Sequence, residues 1–312
     1  MSITISVGQV LVMVVLMGLG WLSVKTRLVT LDSAKSVTNI VLYFVTPAVI
    51  IQAFQRPYDG GQLRTIGILL VVDLAIFSVA IGLARLIFRR IRDAERRAVL
   101  QFGTVYQNAG FMGIPLAQAL FGADGVVYAT VFVTAYNLTV WTHGDMLLAG
   151  PKRPSWGRGI AIAARTPALI ATVVAIALFA LSWHIPSPVS DVVGYLGGMN
   201  APLSMFVVGT TLAQISLKTF ARDRYSWLGT AVRNLVMPAI VLVALTFVPL
   251  DPTARLGTFV AAACPVAAFV VIFSVRHERD TDFPTRLLCT STLASIVTVP
   301  AWLAVASLWW GS

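Results

Sequence analysis

Apolar runs of about twenty residues recur ten times along the chain. They lie at roughly 3–24, 36–54, 63–86, 98–120, 125–148, 160–183, 190–214, 226–248, 256–275 and 286–309. A helix of that length spans the roughly 30 Å hydrocarbon core of a bilayer. Lipid offers no hydrogen bonds to a bare backbone, so only helices and closed barrels cross it, and these runs lack the alternation of barrel strands. The expected fold class is an all-α membrane protein with ten transmembrane helices. Composition agrees: 12% of the 312 residues are charged, against about 25% in soluble domains. The first ten residues, MSITISVGQV, hold no Lys or Arg. The basic start of a cleaved signal is missing, so the first run is expected to stay as a membrane helix.

The net charge of +10 could suggest nucleic acid, but its distribution excludes that reading. The basic residues sit in short loops between apolar runs, with no basic groove or aromatic-basic module. Of the 23 Lys and Arg, 19 fall in or beside the loops after runs 1, 3, 5, 7 and 9, and three (Arg56, Arg64, Arg255) in the others. Cytoplasmic loops are the Lys/Arg-rich ones. The rich side is therefore expected in the cytoplasm of a bacterial cell, with the protein in the inner membrane and both termini outside. Cys264 and Cys289 lie in apolar runs and are expected as small buried residues, not a disulfide or a metal pair. No metal or cofactor is expected.

The chain echoes itself. Pro47 in run 2 and Pro115 in run 4 are 68 residues apart; Pro202 in run 7 and Pro265 in run 9 are 63 apart. Five runs per half is an odd number, so the halves insert upside down relative to each other, a frequent plan of secondary transporters. The expected organisation is a first inverted repeat over 1–148, a cytoplasmic linker over 149–159 and a second inverted repeat over 160–312.

Run 4 carries Asn108, Gly110, Gly113 and Pro115 near its middle. Proline removes a backbone bond and crowds the preceding turn, and the glycines loosen the same stretch. Such a break survives in a membrane only where protein or a cavity surrounds it. Run 9 carries Cys264 and Pro265 at the matching place. Runs 4 and 9 are antiparallel, so their breaks can meet, offering N–H groups to an anion and carbonyls to a cation or water. The plain alternative is two kinked packing helices. Gln52 and Asn200, with Gln214, flank Pro47 and Pro202 and are expected to satisfy loosened backbone.

Two charges lie within runs: Asp73 in LLVVDLAIFSVA and Arg233 in TAVRNLVMPAIV. Charges at that depth are costly and usually mark function. They either pair with each other or act in transport. Arg85, near a run end, is expected to snorkel. His143, Asp145 and His277 are expected in solvated interface.

NAGFMGIPLAQALFG closely resembles the signature of the auxin efflux carrier family, which includes bacterial malate and malonate permease-like proteins and the plant PIN-FORMED carriers. CTSTLASIVTVP (Cys289 to Pro300) resembles the family's last helix, and VRNLVMPAIV its eighth. The resemblance runs from about Pro47 to Pro300. It implies ten helices in two inverted five-helix repeats, of the sodium/proton antiporter-like elevator type. Helices 1, 2, 6 and 7 would form a dimerising scaffold, and helices 3–5 and 8–10 a moving transport domain. Broken helices 4 and 9 would cross at the substrate site. Asn108, Pro115 and Pro265 fall on the crossover, and Asp73 matches an acidic residue of the third helix. The linker between halves is short, as in the bacterial members.

The expected function is a secondary carrier of small organic anions working by alternating access. Its partners would be the anion, with or without a coupling proton or sodium ion, the bilayer, and a second copy of the chain. Arg233 and the half-helix N-termini would attract a carboxylate, Asn108 would hydrogen-bond it, and Asp73 would carry a proton or balance Arg233. No GxxxxGK[ST] loop is present, so ATP is not the direct driver. The rivals are a passive anion channel and an intramembrane enzyme. The enzyme lacks an HExxH or a second mid-depth aspartate beside Asp73.

Overall fold

A computed structural model describes residues 3–150, 155–213 and 223–310. Those residues are helical apart from turns and one isolated bridge. In chain order the helices are α1 (Ile3–Lys25), α2 (Leu31–Ile40), α3 (Thr46–Ala53), α4 (Gly60–Phe88), α5 (Ala94–Val105), α6 (Ile114–Thr139), α7 (Asp145–Ala149), α8 (Trp156–Ala163), α9 (Pro167–Ala180), α10 (Val189–Gly198), α11 (Asn200–Leu212), α12 (Arg224–Ala231), α13 (Met237–Thr246), α14 (Pro252–Ala262), α15 (Phe269–Arg276) and α16 (Asp282–Trp310). Aspartates open four of them. The carboxylates of Asp59, Asp93, Asp223 and Asp251 accept backbone N–H groups at the starts of α4, α5, α12 and α14. These caps satisfy donors that no turn precedes.

Proline shapes the interiors. Wide π-turns at Val41–Val45, Ala109–Gly113 and Val232–Val236 each lead into a helix whose first turn carries Pro47, Pro115 or Pro238. The ring clashes with the carbonyl four residues back and brings no N–H. Spacing the ladder by one more residue relieves the clash.

Six helical stretches are long and apolar enough to cross a membrane, or seven if the bent pair α8–α9 is one span. One stretch, Ala109–Ala149, has 41 residues, about 60 Å of helix and twice the core thickness. It does not run straight. Gly122 takes φ +60°, ψ −143°, a left-handed conformation open to glycine. A Cβ on Gly125 would overlap the carbonyl of Ala117, which lies some 12 Å away in a straight helix. The chain therefore turns back at Gly122 and forms a helical hairpin.

The run expected at 160–183 is not continuous. α8 and α9 meet at 64°, because Pro167 opens α9 and disfavours helix at the residue before it. The expected linker at 149–159 already contains the start of α8, capped by Ser155. Its residues 151–154, and Gln214, lie outside the described residues.

α1 packs on α11, α3 lies against α9 and α10, α4 against α5 and α6, α6 against α14, and α12 against α16. The α1–α11 contact is backbone on backbone. A Cβ at Gly20 would overlap the carbonyl of Phe206, and one at Gly209 the carbonyl of Met17. Membrane helices approach this closely where the facing residues are small.

Contacts between loops respect the charge division. Arg56 pairs with Asp124, and Gln55 accepts from the N–H of Ile185 (2.8 Å); all four positions were assigned to the basic-poor side. Arg286 pairs with Asp223 (3.7 Å), and Arg96 lies over the rings of Tyr225 and Phe283; all are on the basic-rich side.

Candidate functional site

Two broken helices meet at the centre of the structure. α5 ends at Val105, and the chain runs extended through Tyr106 before the turn at Ala109–Gly113 starts the next helix. α14 ends at Ala262, and α15 starts at Phe269. The gaps pair as a minimal antiparallel bridge between Gln107 and Val266. The Asn108 N–H donates to the Pro265 carbonyl (2.7 Å), and the Ala267 N–H donates to the Tyr106 carbonyl (3.0 Å). Each break thus satisfies the other's freed backbone, as burial away from water demands. The two prolines do different work. Pro265 lies in its break, whereas Pro115 lies beyond the other break, in the first turn of α6.

At the bridge Asn108 takes φ −79°, ψ 54°, and Ala109 N–H bonds to Gln107 O (2.8 Å), a γ-turn. Its side-chain amide takes no hydrogen bond among the described residues, and the residue is 8% exposed. A Cβ on neighbouring Gly110 would meet open space. Gly113 has the opposite reason for being glycine: a Cβ there would lie 3.0 Å from Ala261 Cα, so it lets the two broken helices touch. The N-terminal turns after both breaks carry the positive end of a helix dipole. The second break offers no amide like Asn108. Cys264 is buried, and its thiol bonds back to Val260 O (3.3 Å).

Arg233 does not stand free at the break but is spent on main-chain carbonyls. The residue is 3% exposed. Its Nη1 donates to the carbonyl of Thr104 (3.0 Å) and to Gln107 Oε1 (3.4 Å), and its Nη2 donates to the carbonyl of Ala262. Thr104 and Ala262 are in the last turns of α5 and α14, so one guanidinium closes the carbonyl ends of both broken helices. Nor does it pair with Asp73. That residue is fully buried, and neither carboxylate oxygen has a partner among the described residues. Asp73 lies one turn before Phe77, whose ring stacks with that of Tyr106 at the first break (6.1 Å).

Several supporting residues were not singled out from sequence. Asn234, next to Arg233, donates to Ser291 O (2.9 Å) and to Thr298 Oγ1 (3.3 Å). Its Oδ1 accepts from Ser291 Oγ (2.6 Å), and that hydroxyl accepts the N–H of Val266 (3.0 Å). The network ties α16 and the turn after α12 to the second break. The signal available was the polar pair "RN" in an apolar run and the hydroxyl-rich CTSTLAS. On the other side, Gln118 of α6 donates to Gly197 O (3.4 Å) and accepts from Asn200 (3.3 Å). Asn200 is buried where α10 gives way to α11, and Gln52 lies against Gly197. Pro202 is in the first turn of α11.

His143 and Asp145 are not solvated interface, while His277 is partly exposed. His143 and Asp145 are buried. The Tyr106 hydroxyl bonds to His143 Nδ1 (2.9 Å), and Asp145 Oδ1 bonds to His277 Nε2 (2.7 Å), with Arg276 at 3.8 Å. The second cluster joins α7 to the end of α15. Periodicity missed both because each pairing bridges distant segments.

The family described as "Membrane transport protein" matches residues 5–155 and 160–303. The chain belongs to that family. This is the auxin efflux carrier family that the Asn108–Gly122 motif resembles. Among its relatives are an "Uncharacterized transporter" of Methanothermobacter thermautotrophicus, 25% identical over 96% of this chain and 98% of the relative, and "Uncharacterized transporter YfdV" of Escherichia coli K12, 24% identical over 98% and 99%. A protein of Rhizobium meliloti named "Putative malonate transporter" is 24% identical over 84% of this chain and 83% of its own length. The family member described here is thus an integral membrane transport protein and not an enzyme.

Proposed function

We propose that the protein is a secondary carrier of small carboxylate anions, working by alternating access. The observation that carries this is the bridged pair of breaks. It brings together two positive helix starts and the Asn108 amide, which takes no hydrogen bond among the described residues, with open space beside Gly110, where a carboxylate would find N–H donors without desolvating a side-chain cation. The relative named for malonate supports a carboxylate as cargo. Asp73, buried with neither carboxylate oxygen partnered among the described residues and one turn before the ring that stacks on Tyr106, is the residue placed to take up and release a coupling proton.

The crossing also supports ten membrane passages. The hairpin at Gly122 makes two of the 41-residue stretch, and α5 and α14–α15 complete the broken spans. The close α1–α11 contact and the placement of α3 on α9 and α10 fit a scaffold of spans 1, 2, 6 and 7, and a homodimer would form on that scaffold. The contact of Gln118 with Gly197 and Asn200 then lies where a moving transport domain would slide. The basic-rich side faces the cytoplasm, with both termini outside the inner membrane.

Uptake of labelled mono- and dicarboxylates into proteoliposomes, with and without a pH gradient, tests the reading. Saturable uptake with counterflow of at least one carboxylate is the expected result. Flux that does not saturate and shows no counterflow would identify a channel instead.

A further inference from the structure

We propose that Arg233 is a built-in counter-cation: its guanidinium fills the negative pole of the helix crossing, so that the carrier works without a sodium ion bound there. This rests on the carrier reading above for its transport arm only.

Each broken helix that ends at the crossing leaves carbonyls with no partner in the next turn. The end of such a helix carries roughly half a negative charge. Two ends converge here, from α5 and α14, so the pole amounts to about one negative charge. Hard monovalent and divalent cations are held by oxygen ligands of this kind, backbone carbonyls with a side-chain amide. Three such oxygens, Thr104 O, Ala262 O and Gln107 Oε1, all accept from Arg233. The arginine also enters from a third element, the π-turn after α12. A charge carried there by the chain itself is fixed in stoichiometry and does not leave with the substrate.

Two consequences follow. The charge of the guanidinium, about one unit, offsets the two half-charges, and the helix starts after both breaks remain uncompensated. While Asp73 is protonated the crossing is then net positive, which favours an anion. The same oxygens are unavailable to a free cation while Arg233 is in place. The Nε of Arg233 is buried without a partner among the described residues, so the group is held by its two terminal nitrogens, on the side that faces the carbonyls.

The experiment compares native protein with Arg233→Ala and Arg233→Lys in sodium chloride and choline chloride of equal ionic strength. The native thermal midpoint and the uptake rate of labelled malonate should be the same in both salts. A saturable sodium dependence of either in native protein would overturn the proposal. Arg233→Ala in choline should lose about a hundredfold in uptake rate, as losing charge-assisted bonds to two helix ends implies. Millimolar guanidinium or sodium should raise its midpoint and restore uptake, because either cation can enter the vacated carbonyl pole. A folded Arg233→Ala that neither cation stabilises would overturn the proposal. Should the alanine variant not fold, Arg233→Lys decides: it should keep a sodium-independent midpoint, and a sodium-stabilised lysine variant counts against the proposal. The midpoint measurements need no substrate, so they stand even if no carboxylate is transported.

Discussion

Two asparagines of the site are both buried, yet the structure gives them opposite jobs, and replacing each with alanine separates stability from recognition. Asn234 makes three side-chain hydrogen bonds, two to Ser291 and one to Thr298. A hydrogen bond contributes about 1 kcal/mol net, and a buried group left unpaired costs about 1–3 kcal/mol. Asn234→Ala removes all three bonds and leaves the Ser291 hydroxyl proton without its acceptor, so it should cost about 2–4 kcal/mol and lower the thermal midpoint by about 4 °C or more. Asn108 makes no side-chain bond among the described residues, so Asn108→Ala should change stability by less than about 0.5 kcal/mol. If Asn108 meets a carboxylate, the lost charge-assisted bond is about 1.5–3 kcal/mol, or about 10- to 150-fold in dissociation constant. The assay is thermal unfolding in detergent beside calorimetric titration with malonate and other small carboxylates. The reasoning fails if Asn108→Ala destabilises as much as Asn234→Ala, or if it binds like the parent a carboxylate that the parent transports.

Gly209→Val should disrupt the α1–α11 contact, since even a Cβ overlaps Met17 O. The expected loss is about 3 kcal/mol, read as a lower midpoint in detergent. Pro115→Ala should leave the break open, because the break lies at 106–108; uptake within about threefold of native is the expected outcome, and abolished uptake would contradict it. Asp145→Asn leaves His277 and Arg276 without their carboxylate and should lower the midpoint by the equivalent of about 1–3 kcal/mol. For sidedness, Tyr58→Cys should react with an impermeant thiol reagent on intact cells and Arg90→Cys should not; buried Cys264 and Cys289 keep the background low. The reverse labelling would invert the orientation.

Hydrophobic run length and loop charge made the helical class and the two-sided loop arrangement legible, because both follow from the bilayer as a solvent. Proline and glycine marked where helices loosen, and Asn108 and Pro265 do lie at the bridge. The sequence did not show how the break is built. Pro115 was expected to make it, yet the extended residues Tyr106 and Gln107 do, since their main-chain groups find partners across the crossing. A lone Arg in an apolar run says it must be neutralised, but not whether by Asp73, a ligand or carbonyl dipoles. The dipoles belong to backbone ends that are defined only once the helices have stopped. His143 and Asp145 were misplaced for a related reason, as their partners Tyr106 and His277 are 37 and 132 residues away.

The bridge between the two breaks is made wholly of main-chain atoms, Asn108 N to Pro265 O and Ala267 N to Tyr106 O. Point mutation cannot delete those atoms, save by introducing proline at 108 or 267. On the carrier reading proposed above, a change of cargo has to come from side chains beside the bridge, such as Asn108, while the polarity of the helix ends stays as it is. The arrangement thus separates what is inherited with the fold, the polarity of the helix ends at the bridge, from what can drift one codon at a time, the side chains around it.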